Sequence, residues 1–324
     1  MNNNKFKLFL AGFVMIIAIV ICVVLIADNG ADIDNEPSIP SQTERDWVYY
    51  NGQAYEYNHN LKNILFMGLD NNAEMQQENV PGGGAQADCI LLISLDKEHN
   101  TTNVLQISRD SMTDVDIYDV NGNYYTTIRS QIATQYAYGN GAKNSCWAMK
   151  KTVSEFLYEL PIDGYIALDI AAVSKINDVL GGVTITVQED YTRVDPAFKK
   201  GATLTLTGSQ AEKYVRYRDI SITGDNNFRM RRQVQYIPAL FQTFREKTKN
   251  SRDEIEHLYT EISSYVTTDL SVDELNNMAG YFWNEEDVYY VEGESVPGEE
   301  FEEFHVDDKR LKDMIMKMFY KLKQ

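Results

Sequence analysis

Five short apolar runs set the limits on what this chain folds into: KNILFMGLD at 62–70, DCILLISLD at 88–96, TNVLQISRD at 102–110, GYIALDI at 164–170 and VTITV at 183–187. Most are apolar at nearly every position rather than at every second one, so strands of this kind need cover on both faces. Stretches with helical spacing fall between and after them, at 144–160, at 170–180 closed by Gly181 and Gly182, at 208–217 and at 226–249. Strands that alternate with helices and are hidden on both sides define the α/β class, with one central sheet between helices. The Asn121-Gly122 pair in DVNGNYYTTI predicts a hairpin, which makes the sheet mixed rather than purely parallel.

Residues 8–27, LFLAGFVMIIAIVICVVLIA, carry no charge and match the roughly 20 residues that a helix needs to cross a bilayer core. A cleaved signal peptide has a shorter apolar region and a small-x-small site, and LIADNGA offers none. Lys5 and Lys7 precede the run and Asp28, Asp32 and Asp34 follow it, which keeps the N-terminus in the cytoplasm. The expected organisation is a cytoplasmic segment at 1–7, a single-pass anchor in the cell membrane at 8–27, a polar extracellular stalk at 28–46 and one catalytic α/β domain at 47–324 with C-terminal helices. Ser271 with Glu274 forms a capping box, and Asp307 is placed to cap a last helix running to Lys323. The stretch 284–308 holds eleven Asp and Glu with no Lys or Arg, and reads as solvated surface.

A net charge of −18 and an extracellular domain argue against nucleic acid as a partner. Three cysteines are too few for a disulfide framework; Cys22 lies in the apolar run, and Cys89 and Cys146 read as small buried hydrophobes. The histidines are scattered without ligand spacing, and PGGGAQAD lacks the Gly-Lys-Ser/Thr of a phosphate loop.

Against that acidic background, Arg216, Arg218, Arg229, Arg231 and Arg232 crowd into YVRYRDISITGDNNFRMRRQ at 214–233. Arg216 and Arg218 are two apart where a helix gives way to extended chain, and so point the same way. Arg229, Arg232 and Gln233 share one face of the next helix, whereas Arg231 points off it. Guanidinium forks suit a di- or polyphosphate, although a surface salt-bridge network is the rival reading. Asp70, Arg109 and Asp110 close their strands, at the edge where open α/β sheets bind ligands. A hairpin over residues 62–95 would bring Asp88 beside Asp70, and two such carboxylates suit a divalent cation, Mg2+ or another, shared with substrate phosphates.

The ordered blocks NILFMGLD, ADCILLISLD, VLQISRDS, QYAYGNG, PIDGYIALDI, INDVLGGVTITV, LTGSQAEKYVRYRD and RMRRQ resemble the LytR-CpsA-Psr family of bacterial cell envelopes over residues 61–245. The resemblance implies an α/β/α sandwich and a phosphotransferase. Such an enzyme moves a teichoic acid-like or capsule-like glycopolymer from a polyprenyl pyrophosphate carrier to peptidoglycan, with Mg2+ assisting. It implies that Asp70 and Asp88 hold the metal and that Arg109, Arg216, Arg218, Arg229 and Gln233 bind the pyrophosphate. Asp110 is either a base or the residue that orients Arg109, and a carboxylate beside a guanidinium is a weak base. Three departures stand out: Ser108 replaces the family's Pro, Gln131 stands where it has Lys with Arg129 as a candidate substitute, and Gln86-Ala87-Asp88 replaces Arg-Ser-Asp. The carrier's lipid needs an apolar tunnel, for which Trp147, Val153, Phe156 and Leu157 or Val173, Ile176 and Val179 are available, though core packing explains them equally. Two rival functions use the same arginines: a polyprenyl pyrophosphate hydrolase, and a non-catalytic module that binds lipid-linked glycans.

Overall fold

The computed structural model describes residues 47–70, 82–139, 142–219, 221–248, 260–271, 274 and 281–323. The expected anchor at 8–27 and stalk at 28–46 lie outside them. Among the described residues no helix is long and apolar enough to cross a membrane.

The folded chain opens with a hairpin of β1 (Trp47–Tyr50) and β2 (Gln53–Tyr57). Three of the predicted apolar runs follow as β3 (Leu61–Leu69), β4 (Ala87–Asp96) and β5 (Thr101–Ile107), each antiparallel to the one before. The Asn-Gly turn joins β6 (Met112–Tyr118) to β7 (Tyr124–Gln131), with Gly122 at φ 80°, a value that favours glycine. Helix α1 (Ala142–Phe156) leads to β8 (Gly164–Asp169), which pairs parallel to β3. Helix α2 (Ile170–Val179) then carries the chain to β9 (Val183–Thr186) and β10 (Thr203–Leu206). These last two form a separate antiparallel pair, so the fifth apolar run stays out of the main sheet. Only alternate residues of β9 are buried, as in a strand covered on one face.

Helices α3 (Gly208–Arg216) and α4 (Asp225–Thr248) close the middle of the chain. Strands β11 (Val266–Thr268) and β12 (Phe282–Tyr290) complete a mixed six-stranded sheet in the order β11, β8, β3, β4, β5, β12. Side chains on successive strand residues point to opposite faces, and β3 and β4 divide accordingly. Ile64, Phe66, Cys89, Leu91 and Ile93 pack beneath α2, α3 and α4. Leu65, Met67, Leu69, Ile90 and Leu92 pack on the other side with Cys146, Met149 and Val153 of α1. Each such buried side chain contributes roughly 1.5–3 kcal/mol. Two cores on one sheet make the three layers that the uninterrupted apolar runs require. Cys89 and Cys146 are buried, one in each core.

The acidic stretch at 284–308 is more than solvated surface. It supplies part of β12 and then a hairpin of β13 (Gly293–Pro297) and β14 (Glu302–Val306). Tyr289, Val291, Phe304 and Val306 anchor it to the second core, so apolar residues between the carboxylates decide where it lies. Asp307 caps α5 (Asp308–Phe319) by accepting from Arg310 N at 3.0 Å. That helix stops short of Lys323, because β15 (Tyr320–Leu322) turns back to pair with β2.

Candidate phosphate-binding site

Antiparallel pairing of β3, β4 and β5 brings the end of the first, the start of the second and the end of the third to one sheet edge, with Leu69 opposite Ala87 and Ile90 opposite Ile107. The hairpin expected over 62–95 is therefore present, and Asp70, Asp88, Arg109 and Asp110 line a single cavity. β8 ends on the same edge, with Asp169 opposite Leu69.

Helix α3 starts with a capping box of Thr207 and Gln210 and ends at Arg216. Tyr217 is extended, at φ −57° and ψ 133°, so Arg216 and Arg218 both reach the cavity. Arg216 lies 2.7 Å from Asp70 and 3.1 Å from Glu212. Arg218 reaches both oxygens of Asp110, at 2.9 and 3.1 Å. From the first turns of α4, Arg229 donates to Asp88 at 2.8 Å and to Asn226 Oδ1. Burial pulls its guanidinium down from the usual value, while Asp88 pushes it back up. Arg109 donates to Asp88 and to Gln86, and its Nε lies 3.5 Å from Asp110.

Asp110 is 1 % exposed and accepts from Arg218 and from Gln131, whose Nε2 is 2.8 Å away, while Arg109 Nε stands 3.5 Å off as an ion pair without a hydrogen bond. Gln131 thus occupies the cavity position in question, and Arg129 does not: it is 62 % exposed and faces Asp114. Ser108, in place of proline, accepts from Asn226 Nδ2 at 3.0 Å and so ties β5 to α4 beside Arg229.

Gln233, expected among the phosphate ligands, is not part of the charged cavity's lining. It donates to Val215 O at 3.1 Å and lines an apolar cleft behind the arginines. Arg232 turns wholly to the backbone, donating to Tyr214 O at 2.7 Å and to Tyr217 O, and lies against the Tyr191 ring. It fixes the end of α3, where Arg216 and Arg218 leave. Arg231 pairs with Glu189 at the surface, as its position off the face implies.

The apolar cleft shares Asp70, Asp88, Arg216 and Arg229 with the charged cavity and continues inward past Val173, Ile176 and Leu240. Of the two apolar sets available to a tunnel, the one on α2 supplies Val173 and Ile176 to this cleft, whereas Val153 and Leu157 pack in the opposite core. Phe301 at the turn of the β13–β14 hairpin also lines the outer cavity, and no strand-end or helix-face pattern singles it out. Among the described residues no group of three or more His, Cys, Asp or Glu is arranged to hold a metal. Asp70 and Asp88 are two oxygen donors in one cavity, the number that Mg2+ takes from a protein when substrate phosphates complete its shell. The donor set fits that ion.

Fold and site together define an α/β protein that presents arginines and aspartates at one sheet edge, over an apolar cleft. The chain belongs to the LytR_cpsA_psr family, whose model matches residues 24–319. It is 28 % identical over 218 residues to the polyisoprenyl-teichoic acid–peptidoglycan teichoic acid transferase TagV of Bacillus subtilis, an alignment covering 65 % of this chain and 50 % of that protein. The chain thus spans about half the length of that curated relative. Among solved structures, protein gbs0355 from Streptococcus agalactiae superposes with a TM-score of 0.60 at 20 % identity, covering 79 % of this chain and 87 % of that one. A structure described as TagT bound to LI-WTA gives 0.57 at 19 % identity, covering 80 % and 89 %. These two likenesses establish the fold.

Proposed function

We propose that this protein is a transferase that moves a phosphate-linked glycopolymer, teichoic acid-like or capsule-like, from a polyprenyl pyrophosphate to a hydroxyl of peptidoglycan outside the cell membrane. One observation carries the reading: a cavity rich in arginine adjoins an apolar cleft and shares Asp70, Asp88, Arg216 and Arg229 with it, which suits an amphiphile whose pyrophosphate joins a lipid to a glycan. The naming of its relatives as teichoic acid transferases supports the same chemistry. Residues 8–27 then hold the catalytic domain at the membrane that carries the lipid.

The acceptor oxygen attacks the glycan-side phosphorus, and polyprenyl phosphate leaves. Positioning and charge neutralisation dominate such a transfer. Arg109, Arg216 and Arg229 exchange Asp88 and Asp70 for phosphate oxygens, while Arg218 keeps its ion pair with Asp110 and turns its remaining N–H groups to phosphate. Asp110, hydrogen-bonded by Arg218 and Gln131 and ion-paired with Arg109, orients both arginines rather than taking the proton. In the cavity these four arginines face the four carboxylates of Asp70, Asp88, Asp110 and Glu212, and Lys213 adds one further positive charge. Mg2+ held by Asp70 and Asp88 would add more positive charge for a pyrophosphate and draw charge from its oxygens.

The test incubates the full chain in detergent with a short polyprenyl pyrophosphate glycan and peptidoglycan oligomers, with and without Mg2+. Mass spectrometry should find a glycan-phosphate-peptidoglycan adduct that falls about 100-fold or more in Arg109→Ala and Asp88→Ala. Release of polyprenyl phosphate without an adduct would mean a hydrolase; tight binding without turnover would mean a binding module.

A further inference from the structure

The β13–β14 hairpin is fastened to the site at three points. Gln131 Nε2 donates to Glu302 O at 2.7 Å, Gly224 N donates to Glu302 Oε1 at 3.1 Å, and Phe304 N donates to Asp110 O at 2.8 Å. Its turn is closed by Gly298 N donating to Phe301 O at 3.0 Å. The hairpin is thereby a fixed wall of the outer cavity, and it holds Phe301 at that wall with 39 % of the residue exposed. A phenyl ring left partly in water among arginines and aspartates keeps apolar surface wet that a ligand can cover.

The two cavities also set a direction. The apolar cleft lies behind Asp70, Asp88, Arg216 and Arg229, and the lining there omits Phe301. The outer cavity lies before the same four residues and includes it. A carrier with its lipid in the cleft and its pyrophosphate on the arginines therefore puts its first sugar on the side of Phe301.

We infer that Phe301 is the platform on which the pyranose joined to the pyrophosphate stacks. The inference rests on the carrier reading proposed above. The C–H face of a pyranose is slightly positive and meets the negative face of the phenyl ring. The fixed wall makes this a rigid contact rather than one assembled on binding.

The test measures binding of two probes to the full chain in detergent: farnesyl pyrophosphate and the same lipid bearing N-acetylglucosamine. Phe301→Ala should weaken the N-acetylglucosamine probe about 3- to 10-fold and leave the sugar-free probe within about twofold. Phe301→Tyr should restore the difference, which separates a lost ring from a disturbed hairpin. Equal losses on both probes, or no loss on either, would overturn the platform while the carrier reading stands. Failure of farnesyl pyrophosphate to bind the unaltered protein would sink the carrier reading itself, and the platform with it.

Discussion

Asp169 ends β8 with its carboxylate fully buried. Oδ1 accepts from Ala171 N at 2.9 Å and caps α2, whereas Oδ2 is among the buried atoms without a hydrogen-bond partner. Burial pushes this carboxyl up to about 6, and the charge of nearby Asp70 adds to the push. An unfolded Asp titrates near 4, so between about pH 4 and 6 the folded state binds more protons than the unfolded one. Asp169 therefore costs stability as pH rises through that window, and the cost is constant above it. Asp169→Asn keeps the cap and removes the buried charge. It should stabilise the fold by about 1–3 kcal/mol at pH 7 and by nothing near pH 3.5, read from denaturant melts across that range; a difference that does not change with pH would refute the account. The residue-scale signals in the sequence were uneven. Asp70, Arg109 and Asp110 were legible because a polar residue closing an apolar strand sits at a ligand-binding edge. The same rule applies to Asp169 in GYIALDI, but nothing in that run tells a helix-capping aspartate from one that faces a ligand. Arg232 was grouped with Arg229 by helical spacing, yet its target is a set of carbonyls at the end of another helix, which periodicity within one helix does not reveal.

At the scale of elements, the site depends on how closely α3 approaches α2. Gly208, the first residue of α3, donates its N–H to Asp178 Oδ1 at 2.7 Å. A Cβ there would come within 2.5 Å of Ser174 O and 2.4 Å of Asp178 Oδ2, so backbone has to move. Gly208→Ala should cost about 1–3 kcal/mol by overpacking. Because Arg216 and Arg218 lie at the far end of the same helix, it should also weaken binding of a pyrophosphate ligand. Hydrogen exchange resolves the two: faster exchange confined to α2 and α3 is the expected result, and uniform loss of protection would mean that the whole fold has weakened instead. Elements α1 to α5 and the β3–β4 hairpin were readable from apolar period and capping residues. The β13–β14 hairpin was not, because its carboxylates dominate the composition while Phe304 and Val306 do the anchoring. Its contribution to the site runs largely through backbone atoms, Glu302 O and Phe304 N, which carry no side-chain signature.

Over the whole molecule, the two ends of the described domain meet in the sheet of β1, β2 and β15, a pairing between Tyr55 and Leu322 that no local pattern announces. Net charge, by contrast, is fully legible, and it sets a distinct behaviour. The chain carries −18, and the arginines that would hold a pyrophosphate are matched by carboxylates in the same cavity. An anionic carrier approaching from a distance meets the repulsive field of the whole surface; at contact it meets guanidinium groups such as Arg229, which is 3 % exposed. Salt acts on these two terms unequally. The Debye length falls from about 30 Å at 0.01 M to about 8 Å at 0.15 M, which removes the long-range repulsion and leaves contacts of about 3 Å between buried groups nearly intact. Association of farnesyl pyrophosphate with the full chain should therefore quicken by about two- to fivefold over that range at constant free Mg2+, with little change in dissociation. Stopped-flow binding at several salt concentrations measures both rates. A falling association rate would show that the arginine cluster governs the approach as well as the contact, and that the acidic surface lies too far from the cavity mouth to matter.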